Sequence, residues 1–147
     1  MKIKKILSES KYDYDIIQHD QPILTREDGA EYLGIDISQT APTLILKTDR
    51  GFFGLIISGS REQVDFNQLA AQLNCKKVKL ASAKEVKKVT GFSVGSVALT
   101  GFNLPCLIDK RLFRFDFIYG GTGESTSTLK ISPHALLELN KIVGLIE

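Results

Sequence analysis

Apolar positions change their spacing several times along the chain, and each change predicts an element. Residues 2–9 set Ile3, Ile6 and Leu7 at i, i+3, i+4 spacing, which predicts a short helix. "YDYDIIQHD" then reads as a strand closed by His19 and Asp20, and Pro22 breaks it. In "TREDGAEYLGI", Thr25 is placed as an N-cap with Asp28 three residues on, and Gly34 marks the helix exit. The stretch from Ser38 to Ser58 reads as a hairpin whose "TDRG" turn uses Gly51 for a positive φ.

Asp65 caps the next predicted helix, where Phe66, Leu69, Ala70 and Leu73 give the 3–4 repeat of a buried stripe. A short strand follows, from about Lys77 to Leu80. "SAKEVKKVTG" holds a capping box, Ser82 with Glu85, turns Val86 and Val89 inward and closes on Gly91. "GFSVGSVALTG" is apolar without a period. "LPCLID" and "RFDFIYG" read as strands, the second from the alternation of Phe113, Phe115, Phe117 and Tyr119. "GGTGESTST" reads as a flexible polar loop. The strand "TLKI" leads to Ser132 and Pro133, a serine cap with proline at N1, and a final amphipathic helix. Strands outnumber helices and several are joined by short turns. The expected fold is therefore α+β: a mixed, mostly antiparallel sheet flanked by helices, in one domain over 1–147.

Composition narrows the function classes. Hydrophobic residues make up 43% of 147, enough for one packed core. A net charge of +2 gives no overall field that demands nucleic acid, so a polyanion contact needs a local patch. Cys75 and Cys106 have no metal-type spacing and suit the interior of a protein in a reducing compartment. The basic start lacks the apolar core of a signal peptide, and no segment approaches a membrane span. A cytoplasmic protein without membrane contact is expected.

The familiar catalytic motifs are missing: no HExxH, GxSxG, P-loop or dinucleotide fingerprint occurs. No metal and no cofactor is expected. His134, at N2 of the last helix, reads as an exposed polar residue. His19 ends a strand, where residues often face clefts. Six lysines against one glutamate lie between Lys76 and Lys88, with Lys84, Lys87 and Lys88 on one helix face. That face is either solvated or a phosphate-tracking patch. Gly91, Gly95 and Gly101, and then Gly120, Gly121 and Gly123, make turns or let main-chain N–H groups approach a ligand.

In order, the segments "TREDGAEYLGI", "PTLILKTDRG", "VDFNQLAAQLNCKKVKLASAKEVKKVTGFSVGSV", "LPCLID" and "GGTGESTSTLKISPHAL" resemble the YbaK-type family. This is the editing domain related to the insertion domain of bacterial prolyl-tRNA synthetases. The resemblance implies a cytosolic hydrolase that cleaves the ester of a mischarged aminoacyl-tRNA. Its partners would be aminoacylated tRNA and, in some systems, a synthetase; DNA is not among them. It implies a pocket between a strand opening with Lys-Thr-Leu and a Gly-x-x-x-Pro loop. Laid on that pattern, Pro42 takes the place of the lysine, Thr43 and Leu44 match, and Leu99 takes the place of the loop proline.

The substrate-binding residues implied are His19, Thr25, Pro42, Thr43, Gly95, Ser96, Leu99, Gly101, Asp109, Gly120 and Gly121. Lys84, Lys87 and Lys88 are the candidate tRNA contacts, and no catalytic side chain is assigned. Asp109 either orients a ligand amine or forms a turn. Lys47 is five residues beyond Pro42, about 16 Å along a strand, and on the opposite face; it reads as a strand-end surface lysine. Three functions stay open: a deacylase, a binder that has lost hydrolysis, and a module that docks on a synthetase or tRNA.

Overall fold

The computed structural model describes residues 2–23 and 25–147. The order of elements is α1 (Lys2–Ser8), β1 (Tyr14–Gln18), α2 (Arg26–Leu33), β2 (Thr40–Ala41), β3 (Thr43–Thr48), β4 (Gly51–Ile56), α3 (Phe66–Leu73) and β5 (Val78–Leu80). Then follow α4 (Ala83–Thr90), β6 (Cys106–Asp109), β7 (Ile118–Gly121), β8 (Ser127–Ile131), α5 (Pro133–Leu139) and β9 (Ile142–Ile146). The fold is α+β, with two sheets. One has the order β1-β8-β7-β2 and the other β5-β3-β4-β6-β9. Among the described residues, four strand pairings are antiparallel and three parallel. Among the described residues no helix is long and apolar enough to cross a membrane.

The helix ends follow the local chemistry. Thr25 Oγ1 accepts from Asp28 N at 3.1 Å, Asp65 Oδ1 accepts from Asn67 N and Gln68 N, and Ser82 and Glu85 form the reciprocal capping box. Gly34, Asn74 and Gly91 end α2, α3 and α4 in the left-handed region. Lys47, one residue before the end of β3, makes a 2.6 Å ion pair with Glu85, which holds that carboxyl down at about 2 and ties the hairpin to the start of α4.

Strand alternation builds two cores. Ile45 of β3 joins Ile56, Ile108, Leu129 and Ile131, with Ile3 and Leu7 of α1 pressed against the same cluster. Leu46 faces the other way, onto Leu55, Leu69 and Leu107 under α3. Cys106 is buried in the first core, where desolvation pushes its thiol up to about 12; Cys75 is half-buried.

Two expected elements differ. The aromatic alternation in "RFDFIYG" is not a strand: Asp109 caps a 3-10 helix at Lys110–Arg114, and strand pairing begins only at Ile118. Phe113 and Phe115 reach the core from that turn. Beyond Leu139 the chain also leaves the helix at Asn140 and adds β9 in parallel to β6.

Candidate functional site

Pro42 occupies the single position between β2 and β3, where the chain leaves the four-stranded sheet and enters the five-stranded one. A missing N–H costs nothing there, and the Pro42 carbonyl still accepts from Ile57 N at 3.1 Å. β2 had paired with Tyr119 and Gly120 of β7. Beside Gly121 the segment 97–99 takes over: Leu99 N donates to Gly121 O at 3.0 Å.

A cavity of about 800 Å³ opens at this junction. Thr25, Pro42 and Thr43 line it from α2 and the sheet crossing, Gly95 and Ser96 from the loop after α4, and Gly120 and Gly121 from β7. The sequence named all seven, and the fold brings them together. Most of the remaining wall is apolar, with Ile23, Leu33, Ile45, Ile57, Val86 and Val97. Leu80 and Val94 also line it and are exposed, which makes an apolar rim.

Among the described residues, Thr43 Oγ1 is the one buried side-chain polar atom without a hydrogen-bond partner. Buried hydroxyls are nearly always paired, and this unpaired one belongs to a residue of the cavity wall. In the 95–98 segment, Ser96 N bonds to Ser93 O, whereas the amides of Gly95, Val97 and Ala98 have no partner among the described residues. Gly95 takes φ +86°, which aims its peptide in a direction other residues rarely allow.

The glycines of β7 have a different use from the expected one. A Cβ on Gly120 would sit 2.6 Å from Leu99 Cγ, and one on Gly121 would sit 2.1 Å from Val97 O. Their missing side chains make room for the 97–99 segment, while both residues still line the cavity. Leu99 is fully buried over Gly120, so the leucine in the proline's slot packs behind the wall and leaves the cavity clear. Gly101, with φ +89°, likewise lies outside the lining.

Of the two readings of Asp109, ligand amine or turn, the structure supports the turn: the side chain caps the 3-10 helix at Lys110–Arg114 and does more besides. Its buried carboxylate accepts from Arg61 Nε and Nη2 and from the N–H groups of Ser58 and Arg111, at 2.9–3.2 Å. Burial alone would raise this carboxyl, but the guanidinium and the two N–H groups hold it below the usual range.

His19 is buried one side chain behind the cavity, its Nε2 3.2 Å from Oγ1 of the cavity-lining Thr128. Lys84, Lys87 and Lys88 are exposed on α4, whose Val86 lines the cavity. His134 is exposed at the start of α5, against Phe113.

Sequence reasoning missed Arg26, Arg61 and Thr128 in the wall. Arg26 donates to Gly59 O and Arg61 O from the first turn of α2, a partnership more than thirty residues long that no local pattern announces. Among the described residues no group of three or more His, Cys, Asp or Glu is placed to hold a metal ion.

The family model for the aminoacyl-tRNA editing domain matches residues 20–139. The proline–tRNA ligase of Caldicellulosiruptor bescii is 31% identical over 99 residues, which are 67% of this chain and 17% of the ligase. That of Thermosipho melanesiensis is 25% identical over 119 residues, 80% of this chain and 21% of the ligase. The chain thus spans about a fifth of the length of these ligases. Among solved structures, the hypothetical protein APE2540 superposes with a TM-score of 0.91 at 26% identity, covering 99% of this chain and 97% of that one. A candidate trans-editing enzyme for prolyl tRNA synthetase superposes at 0.80 and 22% identity, over 91% and 87%, a likeness of fold. With the model spanning most of the sequence and the cavity at the sheet crossing, the chain belongs to the aminoacyl-tRNA editing domain family.

Proposed function

We propose that this chain is a trans-editing deacylase that hydrolyses the ester of a mischarged aminoacyl-tRNA. The observation that carries the reading is a cavity of about 800 Å³ lined by Thr43, whose buried hydroxyl has no partner among the described residues, within a chain of the editing family. Relatedness to proline–tRNA ligases and likeness of fold to a candidate trans-editing enzyme support the same reading.

An ester between an amino acid and a ribose hydroxyl is already activated, so positioning and donors to the developing oxyanion suffice for catalysis. In this reading water attacks the carbonyl carbon, the ribose oxygen leaves and takes a proton, and the free amino acid departs. The unclaimed amides of Gly95 and Val97 and the Thr43 hydroxyl are the donors. The apolar part of the lining suits an uncharged amino-acid side chain, which gains by leaving water. The exposed Lys84, Lys87 and Lys88 hold the tRNA backbone on the outer side of α4. A synthetase sharing that tRNA would meet the same surface.

Single-turnover assays against a panel of mischarged tRNAs test this: ester cleavage of at least one is expected, and no turnover across the panel refutes it. Reversing Lys84, Lys87 and Lys88 to glutamate is expected to raise KM for tRNA about tenfold or more and flatten its salt dependence. Cleavage of a bare 3′-aminoacyl adenosine should be unchanged by the same substitutions.

A second reading, binding without hydrolysis, is favoured by Pro42. The cavity's two cations are both engaged, Arg61 with Asp109 and Arg26 with Glu27 and two carbonyls. If that reading holds, Pro42→Lys gains turnover of about tenfold or more over a near-silent parent, through a cation placed near the ester.

A further inference from the structure

His19 is 7% exposed, with Nδ1 2.6 Å from the carbonyl oxygen of Gln21 and Nε2 3.2 Å from Thr128 Oγ1. A carbonyl oxygen only accepts, so the hydrogen sits on Nδ1. In the neutral ring Nε2 is then an acceptor, and the hydroxyl hydrogen of Thr128 is what fills it. Edge contact with Tyr32, ring centroids 5.4 Å apart, holds the imidazole from the α2 side.

The consequence falls on Thr128, which is itself 7% exposed and lines the cavity. By register it is the partner of Gly121 on β7, so it lies beside the close approach of the 97–99 segment. With its hydrogen turned toward His19, Thr128 offers the cavity lone pairs alone. Whatever it holds must donate a hydrogen.

The charges of the lining select among donors. Arg61 is neutralised by Asp109, and Arg26 pairs with Glu27 at 3.6 Å. Glu62 and Glu124 have no cationic partner among the described residues, and position 42 contributes no ammonium. The lining is left net negative, which favours a cationic donor.

We propose that Thr128, its hydroxyl direction fixed by His19, is the subsite for the α-ammonium group of the aminoacyl moiety. The proposal rests on the reading of the cavity as an aminoacyl site. Thr128 touches the ligand, and His19 is a positioning residue acting through it.

The test is calorimetric titration with pairs of non-hydrolysable 3′-amide adenosine analogues. One member carries an alanyl, valyl or leucyl group, and the other the same acyl group without its amine. For at least one side chain the native protein is expected to bind the amine-bearing member about tenfold more tightly. Thr128→Val keeps the shape and removes the acceptor, so the ratio should fall to about one while the deamino member binds as before. Thr128→Ser should retain the preference. His19→Phe frees the hydroxyl to rotate and should lower the preference without abolishing binding.

Equal binding of both members by the native protein, or a preference that survives Thr128→Val, overturns the assignment and leaves the aminoacyl site standing. Failure of every analogue to bind removes the aminoacyl site, and this subsite with it.

Discussion

Replacing Arg61 with alanine is expected to lower stability by about 3–5 kcal/mol, the range for removing one partner of a buried ion pair. Asp109 is fully buried, and Arg61 meets it through two nitrogens, at 2.9 and 3.2 Å. The same guanidinium donates to the carbonyl of Glu147, so it also fastens the last residue behind β9. Without it, Asp109 and Glu147 lose their shared anchor and a carboxylate is left desolvated. Urea titration at pH 7 reads the loss directly, and the melting temperature should fall by about 10 °C.

The pH dependence supplies a second reading of the same pair. Asp109 is held below the usual carboxylate range in the folded protein, so the unfolded chain binds its proton more readily. The stabilisation is therefore complete above the unfolded value of about 3.9 and is lost as pH falls through the lower folded one. In Arg61→Ala, burial acts on that carboxyl with less opposition and favours its protonated form. The variant's deficit should accordingly shrink on acidification. A deficit that grows toward pH 4 would show that Arg61 stabilises by some route other than this pair.

On the proposed deacylase reading, Gly121→Ala is expected to cut ester cleavage by about a hundredfold, the usual cost of displacing a reacting group by about an ångström. The new Cβ would fall 2.1 Å from Val97 O and 2.9 Å from the carbon that bears it. Both are backbone atoms, so either β7 or the 97–99 segment has to move. Movement lengthens the Leu99 N to Gly121 O bond and shifts the adjoining amides of Gly95 and Val97 relative to Thr43. Single-turnover rates on the tRNA identified by the panel measure the effect. Gly120→Ala is the comparison, because its Cβ meets only the branched end of the Leu99 side chain. Shortening that side chain in a Gly120→Ala, Leu99→Val double variant should recover part of the rate. Recovery is not expected for Gly121→Ala with any change at Leu99.

Much of the fold was legible because its signals are local. Thr25, Asp65, Ser82 and Ser132 cap the helices they precede, and the "TDRG" turn joins the strands it separates. Elements defined by distant partners were not. β2 is two residues long and exists only through its pairing with β7. β9 follows α5 so closely that Ile142 and Val143 extend the helical spacing of Leu136 and Leu139, and only Asn140 marks the break. The phenylalanines at 113, 115 and 117 alternate as a strand would, but the aspartate before them closes a 3-10 turn.

The candidate site divides along the same line. Thr43, Pro42 and the glycines of both loops were visible as residue types in a familiar order. At Asp109 the choice between a ligand group and a turn stayed open because its partner, Arg61, lies 48 positions earlier. Thr128 stayed unseen in a serine- and threonine-rich stretch, since only a histidine 109 positions away distinguishes it.

The proline at the crossing between sheets has one more effect. Its ring fixes φ near −65°, so the main chain cannot swivel about that bond where it passes from one layer to the other. The cavity wall at this point is thereby held by covalent geometry as well as by the contacts around it, so it is stiffer than packing alone would make it.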